Sequence, residues 1–496
     1  MGFKTLDLII LIVYLIAILL VGLYFSKKDM QGKEYFRGDG TIPWWVTSVS
    51  IFATLLSPIS FLSLVGNSYK GTWILWFAQV GAILAIPLTI HYFLPIYNKL
   101  NIDTAYQYLE KRYGSKSLRV LGALLFIIYQ LGRMSIIMYL PSVVLSELMG
   151  INVNILIIIM GIIAMIYSYT GGIKSVLWTD FIQGAVLLVG VTITLFFLIS
   201  GIDGGFTTIL DQLTTGEKFL ANNEVIFNPN LLQTSVFLII VGACLNTLSS
   251  YISSQDIVQR FTTTNDEKKL NKMMLTNGAL SIFIATVLYL IGTGLYVFYS
   301  QNPIPGNGSQ DQIFGTYIAY SLHVGVTGIL LAAIYAASQS TISTGLNSVA
   351  TSWTLDIQNI ISKKELDFKL QTQIAKLISL IVGVISIVIA IFLANSNITS
   401  AYELFNSFMG MVLGILAGIF ILGVFFKKAN MYGAYAGFIG ATIIMIVIKY
   451  VVDPTLVSIW AYSLISIIIT ILIGLPVSYL TNKKSKNEVP KYTTFK

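Results

Sequence analysis

Residues Pro43 to Tyr69 read PWWVTSVSIFATLLSPISFLSLVGNSY. The run is long and apolar enough for a membrane. It nevertheless holds Ser48, Ser50, Ser57, Ser60 and Ser63 around a central Pro58. Proline removes one backbone donor and clashes with the turn before it. In hydrocarbon, the freed backbone groups must be satisfied by the protein or line a wet cavity. The stretch is therefore predicted to be a discontinuous helix, the device that forms ion and substrate sites at the bilayer midplane.

The rest of the chain fits that reading. Of 496 residues, 55% are hydrophobic and only 10% charged, and the mean hydropathy is +0.80. Apolar runs of about 20 residues, the length that spans a bilayer, recur from end to end. The first, Leu8 to Tyr24, is too long for the apolar region of a signal peptide and lacks a small-residue cleavage site, so it is read as a span. The single cysteine, Cys244, excludes an internal disulfide. With only His91 and His323 besides, a transition-metal site has no ligand cluster.

About thirteen spans are expected, starting near Leu8, Pro43, Trp73, Leu118, Ile155, Trp178, Leu231, Met273, Val326, Ile374, Ala401, Met431 and Leu456. The net charge of +8 gathers in alternate loops. One side carries Lys27, Lys28, Lys33 and Arg37, then Lys99, Lys111, Arg112 and Lys116. It continues with Lys174, with Arg260, Lys268, Lys269 and Lys272, and with Lys363, Lys364, Lys427 and Lys428. The positive-inside rule then puts the N-terminus outside and the C-terminus in the cytoplasm. The excess reads as topology, with no nucleic-acid partner. The segment Thr104 to Tyr113 is expected to be a short amphipathic helix at the interface, and the tail from Thr481 a polar, disordered end.

Polar residues cluster in the second span, in the fourth (Gln130, Arg133, Ser135), at the start of the sixth (Thr179, Asp180), in the seventh (Asn246 to Ser254) and in the ninth. The second and seventh are five spans apart, as a five-plus-five inverted repeat requires. This divides the chain into an extra helix and loop (1–42), a first repeat (43–200), an outside loop (201–230), a second repeat (231–426), two further helices (427–480) and the tail (481–496).

Three constellations carry chemistry. In AAIYAASQSTISTGLNS, Ala332 to Ser348, positions 340, 343 and 344 share a helical face. Such hydroxyls can simply bond back to their own helix. Four in five residues (Ser340, Thr341, Ser343, Thr344) also offer neutral oxygens to a monovalent cation. Asp180 is either a charge favoured at a helix N-terminus or the carboxylate of such a cation site. Arg133 lies deep in its span, where an ionised side chain costs at least ~2.5–3.5 kcal/mol. It either pairs with a carboxylate, Asp180 or Glu403 being conceivable, or clamps the carboxylate of a substrate. No spare acidic residue stands out at mid-membrane, which favours the external anion. Gln79, beside Trp73, Trp76 and Phe77, either joins two helices or binds a hydroxylated ligand. Ser57, Ser60 and Ser63 recur along one face next to Pro58, with the freed carbonyls expected at Ala53 and Leu56.

The runs GGIKSVLWTDFIQG (Gly171 to Gly184), SSQDIVQRF (Ser253 to Phe261) and AASQSTISTGLNS (Ala336 to Ser348) resemble signatures of the sodium:solute symporter family. FATLLSPISF and the arginine of LGRMSIIMYL are most similar to its bacterial sodium/sialic acid branch. The resemblance implies an all-α membrane protein of LeuT type, its ten-helix core preceded by one helix and followed by two. It implies one sodium site at the carbonyls of Ala53, Leu56 and Ala337 with the hydroxyls of Ser340 and Thr341. It implies a second at Asp180, Ser340, Ser343 and Thr344. Substrate would meet Arg133 through its carboxylate, and Ser57, Ser60, Ser63 and Gln79 through its hydroxyls. Leu55 and Pro58 depart from close relatives, which leaves the particular sugar acid open.

The expected function is sodium-coupled import of an anionic sugar such as sialic acid across a bacterial plasma membrane, by a monomer, with sodium as coupling ion and no other cofactor. A neutral solute such as proline or a hexose is the alternative within the same fold. A sensor or receptor would need a signalling domain, for which the C-terminal tail is too short, and enzyme motifs such as HExxH or GxSxG are absent.

Overall fold

The computed structural model describes residues 4–26, 33–38, 40–215, 218–220, 225–230, 232–264, 266–305, 313–362, 366–396, 401–453 and 456–481. Those residues fold as helices. The principal ones are α1 (Thr5–Ser26), α2 (Trp44–Leu55), α3 (Pro58–Lys70), α4 (Ile74–Leu100), α5 (Ala105–Tyr113), α6 (Lys116–Met149), α7 (Val153–Ser200) and α8 (Val236–Ser253). They continue with α9 (Gln255–Phe261), α10 (Glu267–Gln301), α11 (Val326–Ser352), α12 (Phe368–Ala394), α13 (Ala401–Phe425), α14 (Met431–Tyr450) and α15 (Ala461–Leu480). The tail beyond 481 and Lys363 and Lys364 lie outside the described residues.

Among the described residues, 11 helices are long and apolar enough to cross a membrane, and the pair α2 and α3, bent by 62°, makes a twelfth. The expected fifth span corresponds to the first part of α7, whose apolar stretch Val153–Ile166 is shorter than the rest.

The break between α2 and α3 has a local cause. The residue before a proline is pushed out of the helical region, and Ser57 is extended (φ −83°, ψ 159°), as is Leu56 (φ −80°, ψ 96°). Ser57 then caps the new helix, its Oγ accepting from the Ser60 amide at 3.2 Å. Pro58 occupies the first position, where a missing N–H does no harm.

A second discontinuity separates α8 from α9. Ser254 is extended (φ −91°, ψ 117°) without a proline. Asp256 secures the N-terminus that follows, accepting from the Ile257 amide at 3.0 Å and from the Ser254 hydroxyl. In α7 the chain kinks at Gly172 (φ 57°, ψ −166°). A Cβ there would stand 2.8 Å from the Tyr35 carbonyl oxygen, so glycine is required by both conformation and space.

α11 is the axis of the core: apart from Ile329, its residues are buried, and it packs most extensively on α7. Its start is held by α1. Asp7, only 2% exposed, accepts from the amides of Gly325 (2.8 Å) and Gly328 (2.9 Å). A carboxylate on unpaired amides at a helix N-terminus is favoured by charge and hydrogen bonding together.

α5 departs from the surface helix expected for Thr104 to Tyr113. It is docked inward, with Tyr106, Tyr108, Arg112 and Tyr113 buried. Burial pushes the phenols of Tyr106, Tyr108 and Tyr113 above their usual range. Arg112, read from sequence as a loop cation, reaches the C-terminal end of α13. It donates to the carbonyls of Gly423 (2.7 Å), Phe426 (2.8 Å), Ala429 (3.2 Å) and Lys427 (3.3 Å). Such carbonyls lack intrahelical partners, and a cation suits them.

Candidate functional site

Pro58 has no N–H to give to the carbonyl four residues back, which belongs to Thr54. Arg133 of α6 supplies the missing donor, its Nη2 lying 2.6 Å from Thr54 O. The Thr341 hydroxyl of α11 stands 3.4 Å from the same oxygen, though its shorter bond, 3.0 Å, goes back to Ala337 O. The sequence placed the freed carbonyls at Ala53 and Leu56; the oxygen that acquires side-chain donors is that of Thr54.

Arg133 is 4% exposed. Its Nη1 donates to Asp256 Oδ2 at 2.5 Å. Nε closes no hydrogen bond, with the Tyr129 hydroxyl beside the guanidinium. The reading that Arg133 has no acidic residue to pair with is thus corrected: Asp256, fully buried, is its carboxylate partner, in place of Asp180. The Glu403 side chain lies outside those described.

Asp180 has a different partner. Its Oδ2 accepts from Arg260 Nη2 (2.7 Å), Ser50 Oγ (2.7 Å) and Thr344 Oγ1 (3.1 Å). Arg260 was read from sequence as a cytoplasmic loop charge; it is fully buried, and that reading is corrected. Its Nε donates to Ser50 Oγ (2.9 Å), and its Nη2 to Thr344 Oγ1 (2.7 Å) and Thr54 Oγ1 (2.8 Å). The four charges Arg133, Asp256, Arg260 and Asp180 sum to zero, the condition under which buried ions are tolerated. Two fully buried oxygens remain unused. Asp180 Oδ1 makes no hydrogen bond, and Ser340 Oγ lies beside Asp180 without closing one.

The hydroxyl segment of α11 is sorted by these contacts. Thr344 faces Asp180, Thr341 faces the break, and Ser343 donates back to Ser340 O at 3.1 Å. Of the second set of sodium candidates, Asp180, Ser340 and Thr344 come together; Ser343 turns its hydroxyl into its own helix.

A cavity of about 190 Å³ opens beside the break, lined by Leu55, Leu56 and Ser60, by Gln79 of α4, and by Asn246, Ser250 and Tyr251 of α8. Thr247 of α8, Ser281 of α10, Phe405 and Asn406 of α13 and Trp460 add further polar and aromatic lining. Of the substrate candidates, Ser60 and Gln79 line it. Ser57, Ser63 and Arg133 do not. Arg133 instead grips Thr54, next in sequence to the lining Leu55. Asn406 and Ser281 were missed, since a lone amide or hydroxyl in an apolar span reads as helix contact.

A helix broken at a proline, buried charges at the break and a cavity with polar groups in an apolar wall beside it define a membrane transporter. The sodium:solute symporter family model matches residues 35–441, and the chain belongs to that family. It is 34% identical over 450 residues to the sodium/sialic acid symporter SiaT of Proteus mirabilis, covering 90% of each. It is 30% identical to the sodium/sialic acid symporter NanT of Aliivibrio fischeri, covering 98% of this chain and 95% of that one. A solved structure of a Na+-coupled sialic acid symporter in a substrate-bound outward-open state superposes with a TM-score of 0.90, at 32% identity, covering 97% and 98% of the two chains.

Proposed function

We propose that the protein imports sialic acid, or a closely related carboxylated sugar, coupled to sodium across a bacterial plasma membrane. The observation that carries this reading is Arg133, a buried guanidinium fixed at the break of a discontinuous helix, in a chain whose relatives include the sodium/sialic acid symporters SiaT and NanT. A guanidinium fork matches a carboxylate bidentately. Ser60, Gln79, Asn246 and Asn406 of the cavity suit the hydroxyl and amide groups of a sugar acid. A neutral solute would leave Arg133 in its internal pair with Asp256, with no part in binding.

Two sodium ions are proposed as co-substrates. One would be held by Ala53, Leu56, Ala337, Ser340 and Thr341. The other is held by Asp180, Ser340 and Thr344, whose unused Asp180 Oδ1 and Ser340 Oγ are buried oxygens of the kind a desolvated cation requires. The architecture proposed is thirteen spans in a LeuT-type fold, with the N-terminus outside and the C-terminus inside. The breaks after Leu55 and Ser253 stand at matching places in two inverted repeats, 43–200 and 231–426. The functional unit is proposed to be the monomer.

The test is uptake of labelled N-acetylneuraminate into proteoliposomes under an inward sodium gradient, with potassium as control. Concentrative uptake in sodium alone is expected. Sodium-driven uptake of proline or a hexose, with none of the sugar acid, would favour the neutral-solute reading.

A further inference from the structure

Asp256 and Arg260 belong to one short helix, α9, and both are fully buried. They face opposite partners. Asp256 Oδ2 holds Arg133 Nη1 at 2.5 Å, and Arg260 Nη2 holds Asp180 Oδ2 at 2.7 Å. Arg133 is the group read above as the carboxylate clamp, and Asp180 the carboxylate read as a sodium ligand. α9 therefore presents to the substrate clamp a carboxylate of its own, and to the cation site a cation of its own.

The two are four residues apart, the spacing at which helical side chains meet, and Arg260 Nη1 already donates to the Asp256 carbonyl. We propose that α9 carries two internal stand-in ions that exchange partners during binding. Sodium takes the Asp180 carboxylate from Arg260. The released guanidinium turns to Asp256 and draws it from Arg133. Arg133 is then open to the substrate carboxylate. Each charge of this set keeps a counter-charge throughout: before binding the pairs are Arg133–Asp256 and Arg260–Asp180; after it they are Arg133–substrate, sodium–Asp180 and Arg260–Asp256, the sodium at the neutral-oxygen site adding the one net charge.

Thr54 makes the exchange concerted. Its carbonyl is held by Arg133 and its hydroxyl by Arg260, at 2.6 and 2.8 Å, so neither guanidinium can leave without altering the same residue at the helix break. Asp256 and Arg260 act through Arg133 and Asp180, and are positioning residues. The consequence is that sodium raises substrate affinity through α9, because each ligand shifts the equilibrium only by its preference for one pairing.

The proposal rests on the functional reading above, and the experiment separates the two. Binding of N-acetylneuraminate to the purified full chain is measured with saturating sodium and with potassium in its place. In wild type, sodium is expected to tighten binding at least tenfold. D256N keeps an acceptor for Arg133 but removes the competing charge. It is expected to bind in potassium nearly as tightly as wild type does in sodium, reducing the sodium effect to threefold or less. R260Q is expected to keep sodium binding, seen as sodium-induced thermal stabilisation, and to lose the effect of sodium on substrate affinity. A D256N protein that binds more weakly in both salts would overturn the exchange and make Asp256 an anchor of Arg133. Should D256N fail to fold, an undiminished sodium effect in R260Q overturns the proposal and its loss upholds it. Wild-type protein that binds no N-acetylneuraminate in sodium would sink the functional reading itself, and the exchange with it.

Discussion

Arg133 Nη2 lies 2.6 Å from the carbonyl oxygen of Thr54, the acceptor that Pro58 leaves without its helical donor. A buried arginine thus completes a hydrogen-bond pattern that a proline on another helix has broken. The break and the charge depend on each other: the carbonyl needs a donor because the segment is dry, and the guanidinium needs acceptors for the same reason.

Replacing Pro58 by alanine tests that dependence. The alanine could offer its own N–H to Thr54, and the segment would tend toward a continuous helix. Sodium-driven uptake is expected to fall at least about tenfold, equivalent to ~1.4 kcal/mol, while the melting temperature holds or rises. A P58A protein with wild-type uptake would show that the break is not set by the proline.

Arg133→Ala removes the proposed clamp but also strands Asp256. Breaking one partner of a buried pair costs about 3–5 kcal/mol, so the single variant is expected to melt lower and to lose uptake. The double variant R133A/D256A should recover thermal stability without recovering uptake, and sodium should still stabilise it. Recovery of uptake in the double variant would remove Arg133 from substrate binding.

Ser60 and Gln79 line the cavity, the Ser60 hydroxyl 3.3 Å from that of Ser57. S60A and Q79L should each raise the KM for the sugar acid about 3- to 10-fold, the loss of one hydrogen bond of ~0.5–1.5 kcal/mol. The sodium concentration for half-maximal uptake should stay within twofold. A KM change in neither variant would place the substrate elsewhere.

Two sodium ions with one carboxylate carry one net positive charge inward. An inside-negative potential of ~100 mV then contributes ~2.3 kcal/mol to accumulation. Uptake into proteoliposomes should rise when a potassium diffusion potential is imposed. Uptake independent of voltage would leave a single coupling ion.

Arg112 makes a stability prediction away from the site. Its donors satisfy the carbonyls of Gly423, Phe426, Lys427 and Ala429, and bonds to a charged donor are worth ~1.5–3 kcal/mol each. R112A should lower the melting temperature clearly, with little rescue by R112K, whose single ammonium cannot span the same carbonyls. Equal melting of R112A and wild type would deny Arg112 that role.

Some of the site was legible because it depends on local chemistry. Pro58 sets the break, from a backbone restriction that holds in any context; the Ser57 cap and the Gly172 kink emerged only with the structure. Asp256 and Arg260 stood in plain view in SSQDIVQRF, yet Arg260 was counted among loop cations and Asp256 was passed over. Both sit on a seven-residue helix near a span end, where charge on a sequence looks solvated.

The sequence by itself determined that the chain is a helical membrane protein with a discontinuous second span and an arginine committed to the dry interior. Hydropathy, proline geometry and the cost of a buried charge act residue by residue and need no partner to be known. Only the tertiary structure decided which charges meet: Arg133 with Asp256, Arg260 with Asp180. Those contacts join α6 to α9 and α9 to α7, helices far apart along the chain. Coulomb attraction depends on distance in space, and packing sets that distance.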